Sequence, residues 1–386
     1  MRPQFLEGNR LTLLRSGAEY FPALEAAIGA ARQAIYLETY IYMQDATGER
    51  ISDALCDAVK RGVQVHVLVD GFGAKDMPEA LKQRLRDAGV QLLVYRQQIS
   101  PLTLKRQRLR RMHRKIAVVD GRVAFIGGIN IIDDMHTPGH TPPRYDYAVR
   151  VEGPLLLPIQ RLVEHMWRLI TWIRFKRRWR SALRLPIDET PVGSQRAALV
   201  VRDNFRHRSD IEDAYLDAIE SAREEIVLAN AYFFPGKRFR RALIEAARRG
   251  VRVILVLQGR VEYVLLHYAS RALYGTLLDA GVQIHEYHKS FLHAKVAVID
   301  RMWATVGSSN IDPFSLLLAR EANIVVQDRK FALELRASLQ EAMADGAHVI
   351  SRVSWRRKPL TRRVLIWMAY ALTRIMMGMA GYGGQH

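Results

Sequence analysis

Two kinds of hydrophobic pattern alternate along this chain. Short apolar runs, AIYLETYI at 34–41 and EIVLANAY at 225–232, have the length and β-branched content of buried strands. Each follows a stretch of helical spacing. The first covers 17–33 and is preceded by Ser16-Gly-Ala-Glu19, a capping-box pattern; the second lies near 211–223 and is opened by Asp210. Further helical patterns near 51–61 and 237–249 lead into apolar strands at 63–69 and 251–257. Strands that alternate with helices predict an α/β fold with a mixed sheet in each half.

The order of elements repeats because the sequence does. Gly62-Val-Gln-Val-His-Val-Leu-Val-Asp-Gly71 parallels Gly250-Val-Arg-Val-Ile-Leu-Val-Leu-Gln-Gly259 at an offset of 188. Asp87-Ala-Gly-Val-Gln91 parallels Asp279-Ala-Gly-Val-Gln283 at 192, and His113-Arg-Lys-Ile-Ala-Val-Val-Asp120 parallels His293-Ala-Lys-Val-Ala-Val-Ile-Asp300 at 180. The fall from 192 to 180 places twelve extra residues in the first copy, between Tyr95 and His113. Residues 1–184 therefore form a first domain, 185–200 a linker marked by Pro186, Pro191 and Gly193, 201–350 a second domain, and 351–386 a tail.

Composition narrows the class. Of 386 residues, 49% are apolar and 25% charged, which excludes a disordered chain. The single Cys56 excludes an intramolecular disulfide and a cysteine-based zinc site. No secretory signal is expected from the first residues. The net charge of +19 is concentrated in three runs, 104–115, 161–184 and 351–386, whose summed charge exceeds that of the whole chain. Such patches suit a polyanionic partner, anionic lipid or nucleic acid, against the simpler reading of a solvated surface. In the second run Trp167, Trp172, Phe175 and Trp179 interleave with Arg and Lys. That pattern fits a helix at a headgroup interface, or an inter-domain helix with a Trp-rich core face. Residues 364–383 are apolar except for Thr373 and Arg374, and the central arginine favours a helix lying at the interface over a span.

The chemistry sits in the repeat. Each copy carries H-x-K-x4-D followed at equal distance by G-x-x-N: His113, Lys115, Asp120 and Asn130 in the first, His293, Lys295, Asp300 and Asn310 in the second. Positions i and i+2 of a strand face one side, so each His and Lys project together. An imidazole can attack phosphorus, an ammonium can hold the phosphoryl oxygens, and the Asn amides can donate to the same oxygens. The six His, Lys and Asp residues form the candidate catalytic set. Within it the odd parity of Asp120, in an Asp-Gly hairpin signal, assigns it to structure, and Asp300 likewise. Glu38 and Asn230 occupy equivalent positions, as cleft-lining groups or as polar strand ends. His136 and His140 have the spacing of a helical metal pair, but Pro and Gly around them argue for a loop, and no metal site is expected.

These motifs resemble those of the phospholipase D superfamily, whose members pair two such motifs in one site. The flanking stretches RYDYAVRVEGP, ANAYFFPG and EANIVV look most like bacterial cardiolipin synthases. The resemblance covers roughly residues 5–350. It implies two pseudo-twofold-related domains, each a mixed sheet flanked by helices, sharing one active site. It also implies transfer of a phosphatidyl group between two phosphatidylglycerol molecules through a phosphatidyl-histidine, with His113 as nucleophile and His293 as acid and base. It further implies that a carboxylate about eleven positions after each Asn orients a His. Glu321 fits; Asp146, sixteen after Asn130, fits by its surroundings. Lys115 and Lys295 supply charge that a metal would supply elsewhere, so no cofactor is expected. The expected location is peripheral, on the cytoplasmic side of a bacterial inner membrane. Rival readings are a phosphodiesterase acting on nucleic acid and a non-catalytic membrane scaffold. Neither is favoured: the Trp-rich and apolar segments have no use on nucleic acid, and both motifs are intact.

Overall fold

A computed structural model describes residues 3–96, 110–137, 139–173, 187–203, 205–261, 264–313, 315, 318–357 and 359–377. Residues 104–109 of the first basic run, 174–184 of the second and 378–383 of the apolar tail lie outside them.

The strands of the first repeat are β1 (Leu6–Arg15), β2 (Ala34–Thr39), β3 (Gln64–Asp70), β4 (Gln91–Tyr95), β5 (Arg111–Met112), β6 (Lys115–Val119), β7 (Val123–Gly127), β8 (Arg144–Tyr145) and β9 (Tyr147–Glu152). Those of the second are β10 (Gln195–Arg202), β11 (Glu225–Asn230), β12 (Arg252–Gln258), β13 (Gln283–Tyr287), β14 (Phe291–Leu292), β15 (Lys295–Ile299), β16 (Trp303–Gly307), β17 (Ala319–Gln327) and β18 (Ala347–Val349). All but β8 and β14, which pair only with each other among the described residues, build one continuous sheet. From β1 outward the order is β9, β7, β6, β2, β3, β4; from β10 outward it is β17, β16, β15, β11, β12, β13, β18. The halves join where β1 runs antiparallel to β10, with Leu6 opposite Ala197 and Asn9 opposite Gln195. This is the expected mixed sheet in two copies: β2, β3 and β4 are parallel, as are β11, β12 and β13, and the remaining neighbours along that order are antiparallel, while short β5 joins β17 in parallel from the side.

Helices cover both faces. Helices Ser16–Ala30, Ala46–Lys60 and Glu79–Asp87 pack on the first half, and Asp210–Ser221 and Lys237–Arg248 on the second. On the opposite face, Leu156–Ile173 and Arg329–Gly346 share one core that runs across both halves. Leu24, Ile28, Leu335 and Leu339 are fully buried, and each such side chain contributes about 1.5–3 kcal/mol.

Three expectations change. Strand β10 begins inside the stretch read as linker, so 195–200 is part of the sheet. The capping box at Ser16 does not form: Ser16 takes a left-handed φ of 54°, and Glu19 Oε2 instead accepts from the Arg15 amide at 2.8 Å. The cause is β1, which runs without a break into the helix and leaves Arg15 in the capping position. The Trp-rich segment divides: Trp167 is in the core against His66, whereas Trp172 is 63% exposed.

Candidate active site

The strand pair β6–β7 carries Lys115 at its start and turns back through Asp120, which has a φ of 52°; β15–β16 does the same with Lys295 and Asp300, at a φ of 50°. The two Asp residues point away from the chemistry. Asp120 accepts from the amides of Arg32, Gln33 and Ala34 at 2.7, 2.8 and 2.9 Å, and Asp300 from those of Arg223, Glu224 and Glu225 at 2.8, 2.8 and 2.9 Å. Each thus fastens the end of a helix to the start of β2 or β11. A five-residue strand places them roughly 16 Å from the lysines. Their carboxylates are engaged by the scaffold, the role the hairpin parity assigns them.

The remaining motif residues meet across the seam. Short strand β5 pairs with β17 of the other half, and β14 pairs with β8, both in parallel. The His113 amide donates to the Arg320 carbonyl at 3.0 Å, and the His293 amide to the Tyr145 carbonyl at 2.8 Å. Each histidine is thereby set beside the acid that follows in the other copy. His113 Nδ1 lies 2.9 and 3.1 Å from the two oxygens of Glu321, and His293 Nδ1 lies 2.6 Å from Asp146 Oδ2. Glu321 and Asp146 thus each lie against the histidine of the opposite repeat. Lys295 Nζ also lies 2.8 Å from His293 Nδ1. A proton held on Nδ1 and given to the carboxylate leaves Nε2 as the nitrogen with a free lone pair on each ring.

Both lysines are buried. Lys115 Nζ donates to the His113 carbonyl at 2.7 Å and sits 5.4 Å from the Tyr40 ring centre. Lys295 Nζ donates to Asp146 at 3.3 Å and to the His293 carbonyl. Burial pushes the Lys115 ammonium down to about 7, with Glu321 opposing and Lys295 adding to the effect. Burial also lowers His113, against Glu321, and lowers His293 to about 3, with Lys295 adding and Asp146 opposing. Burial alone would raise Asp146, but Lys295 and His293 hold it below its ordinary value. Both shifts favour the neutral imidazole. A bound phosphodiester anion beside them favours their protonated forms.

Asn130 and Asn310 are both buried. Asn130 Oδ1 accepts from the Ile41 amide at 3.0 Å, which orients its NH2 group. The two other paired positions resolve differently. Glu38 is buried against Arg114, at 2.8 Å, behind the first motif, whereas Asn230 accepts from the Ile311 amide at 3.2 Å. Both act as buried strand-end groups. His136 and His140 lie in a loop, as expected, and His140 stacks on Phe291 at 4.6 Å. Among the described residues no three His, Cys, Asp or Glu gather as a metal site.

Sequence reasoning missed three supports. Tyr40 meets the His113 ring edge-on at 4.7 Å. Asp70 Oδ2 accepts from the Met112 amide at 2.9 Å, just before the histidine. Ser308 Oγ donates to Glu321 Oε2 at 2.5 Å, while its repeat equivalent Gly128 leaves room for Asp146, which a Cβ there would strike. The G-[GS]-[IS]-N motif carries that last signal: a hydroxyl stands where the acid is Glu, and no side chain where it is Asp.

The family model described as "Cardiolipin synthase, PLD-like domain" matches residues 24–165 and 215–343. Cardiolipin synthase B of Escherichia coli strain K12 is 40% identical over 393 aligned residues, covering 100% of this chain and 93% of that protein. Cardiolipin synthase B of Salmonella typhimurium is 42% identical over 341 residues, or 88% of this chain and 82% of that one. The crystal structure of phosphatidylserine synthase from Haemophilus influenzae superposes with a TM-score of 0.70 at 15% identity, over 96% of this chain and 94% of that chain, which shows a shared fold.

Proposed function

The chain belongs to the phospholipase D-like family of cardiolipin synthases, and from that premise we infer a phosphatidyltransferase that makes cardiolipin and glycerol from two phosphatidylglycerol molecules. The observation that carries the reading is the single cleft in which two His–carboxylate pairs and two buried lysines face one another across the seam.

In the proposed cycle the Nε2 lone pair of His113 attacks phosphorus. An N–P bond forms as the P–O bond to the glycerol headgroup breaks. His293, protonated in the presence of the anionic substrate, gives its proton to the departing glycerol. The headgroup hydroxyl of a second phosphatidylglycerol then loses its proton to His293 and attacks the phosphatidyl-histidine, releasing His113. Glu321 and Asp146 hold the rings and stabilise the cations that form. Lys115, Lys295 and the Asn amides hold the phosphoryl oxygens. One phosphodiester replaces another, so no energy source is consumed.

We also propose peripheral attachment to the cytoplasmic face of the inner membrane. Among the described residues no helix is long and apolar enough to cross a membrane. The helix Leu360–Met377 buries Ile366, Ala369 and Thr373 but exposes Val364, Leu365, Trp367, Met368, Leu372, Ile375 and Met376. That broad apolar face suits the headgroup–acyl boundary and has no use on nucleic acid. Tyr370 of this helix packs on Phe234 at 5.7 Å, and the Phe234 amide donates to the Ile311 carbonyl, next to Asn310. The docking helix is thus joined to the catalytic loop.

The test is turnover of phosphatidylglycerol vesicles by the full chain, with cardiolipin and glycerol formed in equal amounts. His113→Ala and His293→Ala should each lower the rate by several orders of magnitude, and the double variant should be little slower. With phosphate-labelled substrate, His293→Asn should retain label on His113. Label on His293 in a His113 variant reverses the assigned roles, and near-normal turnover by either single variant refutes the shared site.

A further inference from the structure

A cavity of about 750 Å³ lies under the start of the C-terminal helix, away from the catalytic cleft. Its walls come from the end of helix Lys237–Arg248, from helix Tyr274–Asp279, and from helices Arg352–Arg356 and Leu360–Met377. Arg248 precedes β12 and Asp279 precedes β13, so the cavity opens at the starts of these strands. The catalytic cleft lies at their other ends, where the Gln258 side chain donates to the Leu292 carbonyl at 3.3 Å beside His293. The length of β12 puts roughly 20 Å between the two.

Among the described residues four arginines, Arg248, Arg271, Arg352 and Arg356, line this cavity with a single carboxylate, Asp279. Arg352 and Arg356 both bond that carboxylate, at 2.5 and 2.9 Å, and Arg271 is held by Glu286. Arg248 makes no ion pair at bonding distance among the described residues, although it lies near enough to Glu245, which bonds Arg241, to help lower that carboxyl. The wall is therefore cationic after every ion pair is counted. Apart from Thr276 and the indoles of Trp355 and Trp367, its remaining lining among the described residues has no polar side chain. It includes Ile244, Leu278 and Ile366, and Trp367 continues onto the exposed face of the C-terminal helix.

Guanidinium groups bind phosphate oxygens bidentately, and the apolar rim leads from that charge directly to the face proposed to enter the bilayer. We propose that this cavity is a second lipid site, which takes the phosphodiester headgroup of an anionic membrane phospholipid while the exposed face of helix Leu360–Met377 lies among its acyl chains. The site rests on the membrane-docking reading above and adds to it a specific headgroup receptor distinct from the reaction centre. Asp279 occupies two of the guanidiniums in the empty state and is displaced by the lipid phosphate.

The experiment is sedimentation of the full chain with phosphatidylcholine vesicles, with and without phosphatidylglycerol. Thermal unfolding checks the fold of every variant. Arg248→Gln combined with Arg356→Gln should weaken binding to the anionic vesicles by more than tenfold, since each arginine at an anionic surface is worth about fivefold. Asp279→Asn should strengthen binding, a gain that misfolding does not produce. The control Arg238→Gln combined with Arg241→Gln removes the same charge from the far end of the same helix and should cost less than half as much on a logarithmic scale. Equal losses in the two double variants, or no gain in Asp279→Asn, overturn the cavity in favour of diffuse surface charge. Release of the wild type by millimolar inorganic phosphate at constant ionic strength overturns the lipid as its ligand and assigns a free anion. Wild-type turnover of monomeric short-chain phosphatidylglycerol is measured alongside, so a failed transferase reading shows there and a failed lipid site shows in the vesicles.

Discussion

His293 Nδ1 lies 2.6 Å from Asp146 Oδ2 although 147 residues separate them, and the equivalent pair His113–Glu321 spans 208. Each pair crosses the seam between β1 and β10. Amides that cost the carboxylate its charge keep its shape, so they isolate the electrostatic part of the pairing. Asp146→Asn and Glu321→Gln should each lower kcat by roughly two to four orders of magnitude, with KM nearly unchanged, because the wrong tautomer is presented and the imidazolium is no longer stabilised. Steady-state kinetics on phosphatidylglycerol check this. A tenfold or smaller loss in kcat denies the acids an orienting role.

Lys115 predicts a pH dependence. Its ammonium, pushed down to about 7 by burial, is the form that holds phosphate in the proposed cycle. The profile of kcat/KM reports the free enzyme, so it should fall as pH rises through about 7. Lys115→Arg, whose guanidinium stays charged, should be slower at pH 6 but lose that alkaline fall. An unchanged fall in the arginine variant assigns it to another group.

Asp120 and Asp300 differ from the rest of the motif in what their loss should do. Asp120→Ala leaves three backbone amides without an acceptor, one of them the buried Ala34, and should cost about 2–4 kcal/mol in stability. Asp300→Ala should cost less, about 1–2 kcal/mol, because the amides of Arg223 and Glu224 are exposed and water replaces the carboxylate. Urea unfolding measures both. Activity per folded molecule should stay within a few-fold of wild type in each.

A divalent ion is not needed in the proposed cycle, since two lysines and two amides surround the transferred group. Exhaustive chelation with EDTA should leave turnover unchanged. Loss restored by one particular ion refutes the metal-free cycle and directs attention to His136 and His140.

Much of this arrangement is legible in the chain. The repeat gives the order of strands in each half, and the i, i+2 spacing of His and Lys places both on one side of a strand. What stays hidden is tertiary. The family resemblance singles out Glu321 by its distance from Asn310 and Asp146 by its surroundings as candidate acids, but which histidine each meets is decided by β5–β17 and β8–β14, pairings of two residues each with no periodic signal. Strand β1 alternates in LEGNRLTLLR, with Leu11 and Leu13 inward, yet its short polar insertions mask the pattern. Strand β10 is obscured by the Pro and Gly just before it. The Trp-rich run misleads for a physical reason: five residues turn a helix by about 140° beyond a full circle, so Trp167 enters the core and Trp172 faces outward.

The crossed pairing has a consequence for the ancestry of such a chain. One repeat alone would own a histidine, a lysine and an asparagine, but the acid behind its imidazole would have to come from a second copy turned about the same axis. An unduplicated form would work only as a pair, with activity falling steeply on dilution. Fusion of two copies makes that encounter internal, at an effective concentration set by the short connection instead of by abundance. It also frees the copies to diverge. Glu can replace Asp, Ser can replace Gly and the buried Glu38–Arg114 pair can face an Asn–Ala counterpart, so that two once-identical rings come to hold different offices in one reaction.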